Sequence, residues 1–475
     1  MTIATTIAAI STPPGKGGVA IIRISGASAL DIARKMFIPM SGKDISEYPA
    51  RRQIYGKILK GGSAIDDGML TYFNSPHSYT GEDTVEITCH GGMLITASVL
   101  ESAFIAGAVP AERGEFTKRA FVNGRLSLSE AEGISMLLDA SSEAQLRLSR
   151  PDSRSRLSSA IESVREGLLK LLSSVYARID YPEEDLGELS DDEMLLGMSA
   201  TRDEIERLLS TYSTGKAVAE GIRTVICGKP NVGKSTLYNL LVGEEAAIVT
   251  DIPGTTRDVL EKSISLGDVM LRLFDTAGIR NSSEDPVENI GIMRSRERID
   301  EAELILVLFD SSRPFEAEDS DILGYISDSS ARKIAVITKC DLSDSLENSH
   351  VSAHNASDIR EKLKKYKLDC CLEISAATSA DDALDKLKAA VGDLFCDGSI
   401  KIGDDAIIST ARQHASLLRA AELMKTAISA HVSGLAQDAV CSDLELALGA
   451  VSELDGRAVS EQIVGEIFAN FCVGK

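Results

Sequence analysis

The segment Gly228-Lys229-Pro230-Asn231-Val232-Gly233-Lys234-Ser235 fits the pattern GxxxxGK[ST], and it dictates its surroundings. Backbone N–H groups can cradle phosphates only where a strand runs into a tight loop and the loop opens a helix. Lys234 then reaches the β and γ oxygens, and the Ser235 hydroxyl ligates magnesium. Thr224–Cys227 reads as that strand and Thr236–Leu241 as that helix. Further apolar runs at Met270–Phe274, Leu304–Phe309, Lys333–Ile337 and Cys371–Ile374 alternate with helical stretches, the βαβ pattern of a doubly wound parallel sheet. Three of them run into polar motifs: Asp275-Thr276-Ala277-Gly278, Thr338-Lys339-Cys340-Asp341 and Ser375-Ala376-Ala377. Carboxyl ends of parallel strands are where such sheets bind ligands.

These motifs choose the base. In the GTPase pattern that Thr338-Lys339-Cys340-Asp341 resembles, the Asp341 carboxylate accepts from the guanine N1–H and 2-amino group, a pairing adenine cannot offer, and the Lys339 stem packs along the ring. Asn usually stands first in that motif, so Thr338 is expected to weaken one side-chain hydrogen bond while GTP stays favoured over ATP. The expected GTP site comprises Asn231, Val232, Gly233, Lys234, Ser235, Thr236, the loop Thr250-Asp251-Ile252-Pro253-Gly254-Thr255-Thr256, Asp275–Gly278, Thr338, Lys339, Asp341 and Ser375–Ala377. Ras-like proteins carry a water-orienting Gln directly after the Asp275–Gly278 motif, but here the position is Ile279, which cannot hydrogen-bond, and no arginine finger is recognisable. A potassium ion is the expected substitute, held by the Asn231 side chain and loop carbonyls at Thr250, Ile252 and Thr255, with Thr256 joining Ser235 on magnesium. Arg257 fits either a salt bridge or a finger.

The rest of the 475 residues exceeds one core, since domains usually run to about 100–200 residues. Residues 1–120 mix β-branched runs (Val19–Ile24, Val85–Thr88) with Gly-rich turns, as an α+β domain does. Leu157, Ile161, Val164, Leu168, Leu171, Val175 and Ile179 recur at spacings of three and four, one stripe of a long helix; Leu417, Ala421, Met424, Ile428 and Val432 form another. Each stripe lacks a partner in its own segment, so the two helical segments, 121–215 and 381–475, are expected to pack on each other with the α/β domain, 216–380, inserted between them. Ser213-Thr214-Gly215 and Gly221 read as the hinge into that insertion.

Charge narrows the partners. Lys and Arg number 50 against 72 Asp and Glu, a net charge of −22, which disfavours indiscriminate binding to nucleic acid or anionic membrane. Any RNA contact is expected to be local, at Lys118, Arg119 and Arg125, or delegated to a partner. No apolar run approaches a membrane span, and the eight Cys contain no CxxC pair, so a soluble protein of a reducing cytoplasm is expected.

The ordered set TPPGKGGVAIIRISG (12–26), GEDTVEITCHGG (81–92), RGEFTKRAFVNGRLSLSEAEG (113–133), GKPNVGKSTLYNLL (228–241), TDIPGTTRDV (250–259), DTAGIR (275–280) and terminal FCVGK (471–475) resembles the MnmE or TrmE family of tRNA modification GTPases over essentially the whole chain. The head and tail carry the resemblance, because general GTPase motifs occur in many families. It implies a homodimer whose N-terminal domain binds 5-formyl- or methylene-tetrahydrofolate and whose GTPase domains pair in a potassium-dependent way. It also implies an FAD-containing MnmG-type partner, in a heterotetramer or larger complex, that holds most of the tRNA while an aminomethyl-type group is added at C5 of wobble uridine. By motif, Arg23, Glu86, Arg125 (often Lys in the family) and Lys475 fall at the folate. Glu288 matches the residue that positions the attacking water, with a switch-helix cap as the alternative reading. His90 is either a backbone-bonded structural residue or a substrate contact, and Cys472 either a catalytic thiolate or an inert thiol. The rival reading is a GTPase switch acting in ribosome or membrane-protein assembly, which has no need of Arg23, Glu86 and the FCVGK tail together.

Overall fold

The computed structural model describes residues 5–180, 189–243, 261–274, 299–343, 349–469 and 471–474. They form two compact units, Met1–Ser135 with Leu448–Lys475, and Met136–Ala447.

The first unit holds a seven-stranded sheet of β1 (Ile7–Ile10), β2 (Val19–Ser25), β3 (Phe37–Pro39), β4 (Gln53–Lys60), β5 (Ser63–Phe73), β6 (Thr84–His90) and β7 (Val109–Pro110), in the order β3-β4-β5-β6-β2-β1-β7. All neighbours are antiparallel except β1 and β7. Side chains alternate across a strand, so Ala20, Ile22 and Ile24 of β2 face the helices Ala29–Met36 and Met93–Ala106, where they are buried with Ile87, Ile32, Met36 and Val99. Each Ile, Val or Met among them contributes about 1.5–3 kcal/mol by leaving water. Arg23 necessarily points to the other face. There the short helix Glu115–Val122 lays Phe116 over Ile7 and Ala9.

The C-terminal chain is part of this unit. Ser129 Oγ donates to the Leu454 carbonyl at 2.8 Å, and Phe468 and Phe471 are buried against Leu128 and Ala131. The last helical stretch therefore packs on residues near 128, whereas the stripe 417–432 packs in the second unit.

In the second unit β8 (Ile222–Gly228), β9 (Glu261–Leu266), β10 (Val269–Phe274), β11 (Leu304–Asp310), β12 (Arg332–Thr338) and β13 (Cys370–Glu373) form a sheet in the order β13-β12-β11-β8-β10-β9. Only the β9–β10 hairpin is antiparallel. Every residue of β11 is buried: Leu304, Leu306 and Leu308 enter one core and Ile305, Val307 and Phe309 the other, as a strand covered on both faces requires. Outside the sheet, helix Pro151–Asp180 packs on helix Asp191–Ser210, which packs on helix Ala411–Val432. Leu157 through Val175 are buried as the spacing requires. The second stripe drifts: burial continues through Ala427 and Ala430 and leaves Val432 exposed at the helix end.

The expected hinge is different in kind. Ser213, Thr214 and Gly215 lie inside a helix, Tyr212–Ala219, and a Cβ on Gly215 would stand 2.1 Å from the Ile408 carbonyl oxygen. Close packing, not freedom, keeps that position glycine. The turn into β8 falls at Gly221, φ 80°. No described helix is long and apolar enough to cross a membrane.

Candidate functional site

The phosphate loop hangs between the end of β8 and the helix Lys234–Gly243. It turns through left-handed backbone at Asn231 (φ 62°) and Gly233 (φ 99°), and Asn is among the few side chains that tolerate this region. Gly228 is fixed by space as well as by φ, since a Cβ there would stand 2.7 Å from the Leu308 carbonyl oxygen. Val232 is buried beneath the loop and anchors it, while Asn231, Ser235 and Thr236 are exposed on it. Lys234 folds over the loop and donates from Nζ to the carbonyls of Gly228 (2.6 Å) and Lys229 (2.8 Å). Burial holds its ammonium below the ordinary lysine pKa, so the group gains from a phosphate partner.

The base-recognition motif stands beside the loop because β11 lies between β8 and β12. Thr338, the last residue of β12, is buried; its hydroxyl lies 2.6 Å from the Val232 carbonyl and 3.0 Å from that of Phe309 and donates its one proton between them. The Thr338 hydroxyl thus ties this segment to the phosphate loop through the Val232 carbonyl. Lys339 (φ 60°) donates to the Asn231 carbonyl at 2.8 Å, a second tie between the two loops. Asp341 accepts from the Ser375 hydroxyl, which also meets Thr378 Oγ1 at 2.7 Å, so the loop Ser375-Ala376-Ala377 after β13 orients the carboxylate assigned to guanine. Thr250–Thr256, Arg257, Asp275–Gly278, Ile279 and Glu288 lie outside the described residues.

A second constellation occupies the first unit. Arg23 and Glu86 are cross-strand neighbours on β2 and β6, and Arg23 Nε donates to Glu86 Oε1 at 2.9 Å with both side chains partly exposed. The guanidinium stacks over the rings of Tyr79 (5.4 Å) and Phe116 (5.5 Å). Neither ring is singled out by sequence reasoning, although Phe116 lies within the RGEFTKRAF stretch. Arg125 is exposed on the turn after helix Glu115–Val122; its stem would be 3.2 Å from a Cβ on Gly81, and Asn123 Nδ2 donates to the Thr80 carbonyl at 2.8 Å. This brings Arg125 to the segment that carries Tyr79.

The tail folds back to the same sheet. Val473 bridges Arg113 in antiparallel fashion, the Gly114 N–H donates to the Cys472 carbonyl at 3.3 Å, and Ser11 Oγ donates to the Gly474 carbonyl at 3.1 Å. Gly474 (φ 96°) passes so near β1 that a Cβ would stand 2.1 Å from the Ile10 carbonyl oxygen. Cys472 is exposed, and Lys475 lies outside the described residues. The donor set has the chemistry a folate would need: a guanidinium packed on aromatic rings, a carboxylate that could accept from pterin N–H groups, and an exposed Arg125 that could meet carboxylates. His90 binds Asp66 through both its backbone N–H (2.9 Å) and Nδ1 (2.7 Å).

One expectation fails. Arg119, proposed as part of a surface basic patch, is wholly buried, donating to Glu82, to Glu115 and to the Thr5 carbonyl at 2.8 Å. It lies on the inner face of helix Glu115–Val122, where helical periodicity directs it with Phe116 and Ala120 into the unit.

Residues 128–472 match the family model described as the MnmE helical domain, and residues 6–125 that described as the GTP-binding protein TrmE N-terminus. Three full-length relatives, each named as tRNA modification GTPase MnmE, are similar from end to end. That of Alkaliphilus oremlandii is 39% identical over 100% of both chains, that of Natranaerobius thermophilus 38% identical over 99% of both, and that of Clostridioides difficile 38% identical over 100% of both.

Proposed function

The chain belongs to the MnmE family of tRNA modification GTPases, and on that premise we propose that GTP hydrolysis in it drives, with potassium and magnesium, the delivery of a folate one-carbon unit to C5 of wobble uridine. The uridine is held mainly by an FAD-containing MnmG-type partner, and the chain works as a cytoplasmic homodimer. The observation that carries this reading is the meeting of the tail with the sheet that presents Arg23 and Glu86: a nucleotide switch alone has no use for it.

In the first unit, Arg23 and Glu86 already neutralise each other, and Tyr79 and Phe116 give the guanidinium a flat, dry backing. The same groups orient a planar bicyclic ligand. Arg125 supplies a mobile positive charge for carboxylates. In the second unit Lys234 exchanges two carbonyl partners for phosphate oxygens, and Ser235 stands at the helix start where the magnesium ligand belongs. Asn231 is exposed on a left-handed turn of the loop; its side-chain oxygen would hold a potassium ion, which would supply the positive charge that an arginine finger supplies elsewhere. Glu288 is assigned to the attacking water and Cys472 to the neighbourhood of the folate. The closure of paired GTPase domains is then the signal to which the folate site responds.

Two measurements test these assignments. Titration calorimetry of 5-formyl-tetrahydrofolate should show binding to the wild type and a loss of about tenfold or more in Arg23→Ala, with GTP turnover retained; equal folate affinity removes Arg23 from the site. GTP turnover should be several-fold faster in potassium than in sodium at equal ionic strength, and equal rates contradict the cation assignment.

A further inference from the structure

Lys339 is expected to lay its stem along the base, yet a lysine is a flexible support that loses rotamer freedom whenever it is immobilised. Part of its anchorage comes from a residue outside the nucleotide motifs. Asp310 is the last residue of β11, paired in register with Thr338 of β12, and its side chain is 2% exposed. The two carboxylate oxygens are divided. Oδ1 accepts from the backbone N–H of Ser312 at 2.9 Å and from its hydroxyl at 2.6 Å, closing the turn that follows β11. Oδ2 accepts from Lys339 Nζ at 2.6 Å. Burial pushes this carboxyl up, but the hydrogen bonds from Lys339 and Ser312 outweigh it and hold the group below the usual carboxylate range.

Lys339 is therefore gripped at its far end by Asp310 and by the Asn231 carbonyl, 2.8 Å away, while its own backbone is kept in the left-handed region, where a residue with a Cβ sits only at a cost. The grip spans three strand ends: β8 through the phosphate loop, β11 through Asp310 and β12 through Lys339.

We infer that Asp310 is a positioning residue for guanine-nucleotide binding, holding the Lys339 stem in place over the base site and locking the base-recognition loop to the phosphate loop. The inference rests on reading Thr338–Asp341 as the base site. Because the stem is fixed before nucleotide arrives, less entropy is lost on binding. Asp310 itself touches no part of the nucleotide and acts through Lys339.

The test is a double-mutant cycle on the full chain, with affinity for a fluorescent GTP analogue and steady-state kinetics measured for wild type, Asp310→Asn, Lys339→Ala and the double variant. Asparagine keeps the shape and the Oδ1 bonds to Ser312 but turns an amide toward the ammonium. Asp310→Asn should weaken binding about tenfold, the loss appearing in KM far more than in kcat. In the Lys339→Ala background the same change should cost less than about twofold, since the group through which it acts is gone. An equal loss in both backgrounds, or no loss in either, overturns the inference. If Lys339→Ala itself leaves GTP affinity untouched, the base-site reading falls and the inference with it; if Lys339→Ala weakens binding and Asp310→Asn does not, the inference alone falls.

Discussion

Lys234→Ala is expected to reduce GTP turnover by at least about a hundredfold, because a positioned cationic donor at developing phosphoryl charge is worth roughly 2.7–4 kcal/mol in the transition state. Among the described residues, the neighbouring lysines are already engaged and do not replace it. Lys229, the other lysine of the loop, is committed at 2.8 Å to Glu316 and Asp319 on the far side, and Lys339 is held by Asp310 and Asn231. The same geometry keeps the variant folded. The Lys234 ammonium meets two carbonyl oxygens of its own loop, which an incoming water satisfies, and the buried anchor of the loop is Val232. Phosphate release at saturating GTP, with thermal unfolding as the control, checks this: turnover within a few-fold of wild type would remove Lys234 from the phosphate site.

Arg119→Met should cost about 3–5 kcal/mol of stability in the first unit, the range for breaking a buried ion pair by removing one partner. The guanidinium is wholly buried, and it binds Glu115 at 2.8 Å, Glu82 at 3.1 Å and the Thr5 carbonyl at 2.8 Å. Methionine fills much of the volume but leaves two carboxylates, each less than a fifth exposed, without their cation. Glu82 also accepts from Ser25 Oγ at 2.8 Å, and Ser25 lies in a buried hydroxyl cluster with Thr80 and Thr84, so the damage reaches the loop that carries Tyr79. Urea unfolding should show the loss in the transition of this unit. A change below about 1 kcal/mol would mean that the network is dispensable and that Arg119 is retained for another purpose.

The contrast between these residues shows where sequence is informative. The phosphate loop is legible because a strand, a glycine-rich turn and a helix start must follow one another locally, and the strand runs at Thr224, Met270, Leu304, Lys333 and Cys371 each lie within a strand of the sheet or overlap one. Arg119, a basic residue between Lys118 and Arg125, looks solvated in sequence until the fold brings Glu82 and Glu115 around it. Tyr79 carries no motif of its own; its value comes from standing over Arg23, a neighbour only in three dimensions. Amphipathic stripes predict that helices are covered, not by what, so the association of residues 448–475 with the N-terminal sheet was beyond periodicity. Asp310 was hidden for a similar reason, since an acidic residue ending an apolar run is ordinary until Lys339 reaches it.

That GTP turnover here serves wobble-uridine modification is tested most directly by mass spectrometry of wobble uridines in tRNA from cells lacking this protein, supplied with the wild type or with Lys234→Ala. The modified nucleoside should vanish in the deleted cells, return with the wild type and stay absent with the variant. Full modification in the deleted cells would contradict the proposal and favour a GTPase switch of another kind.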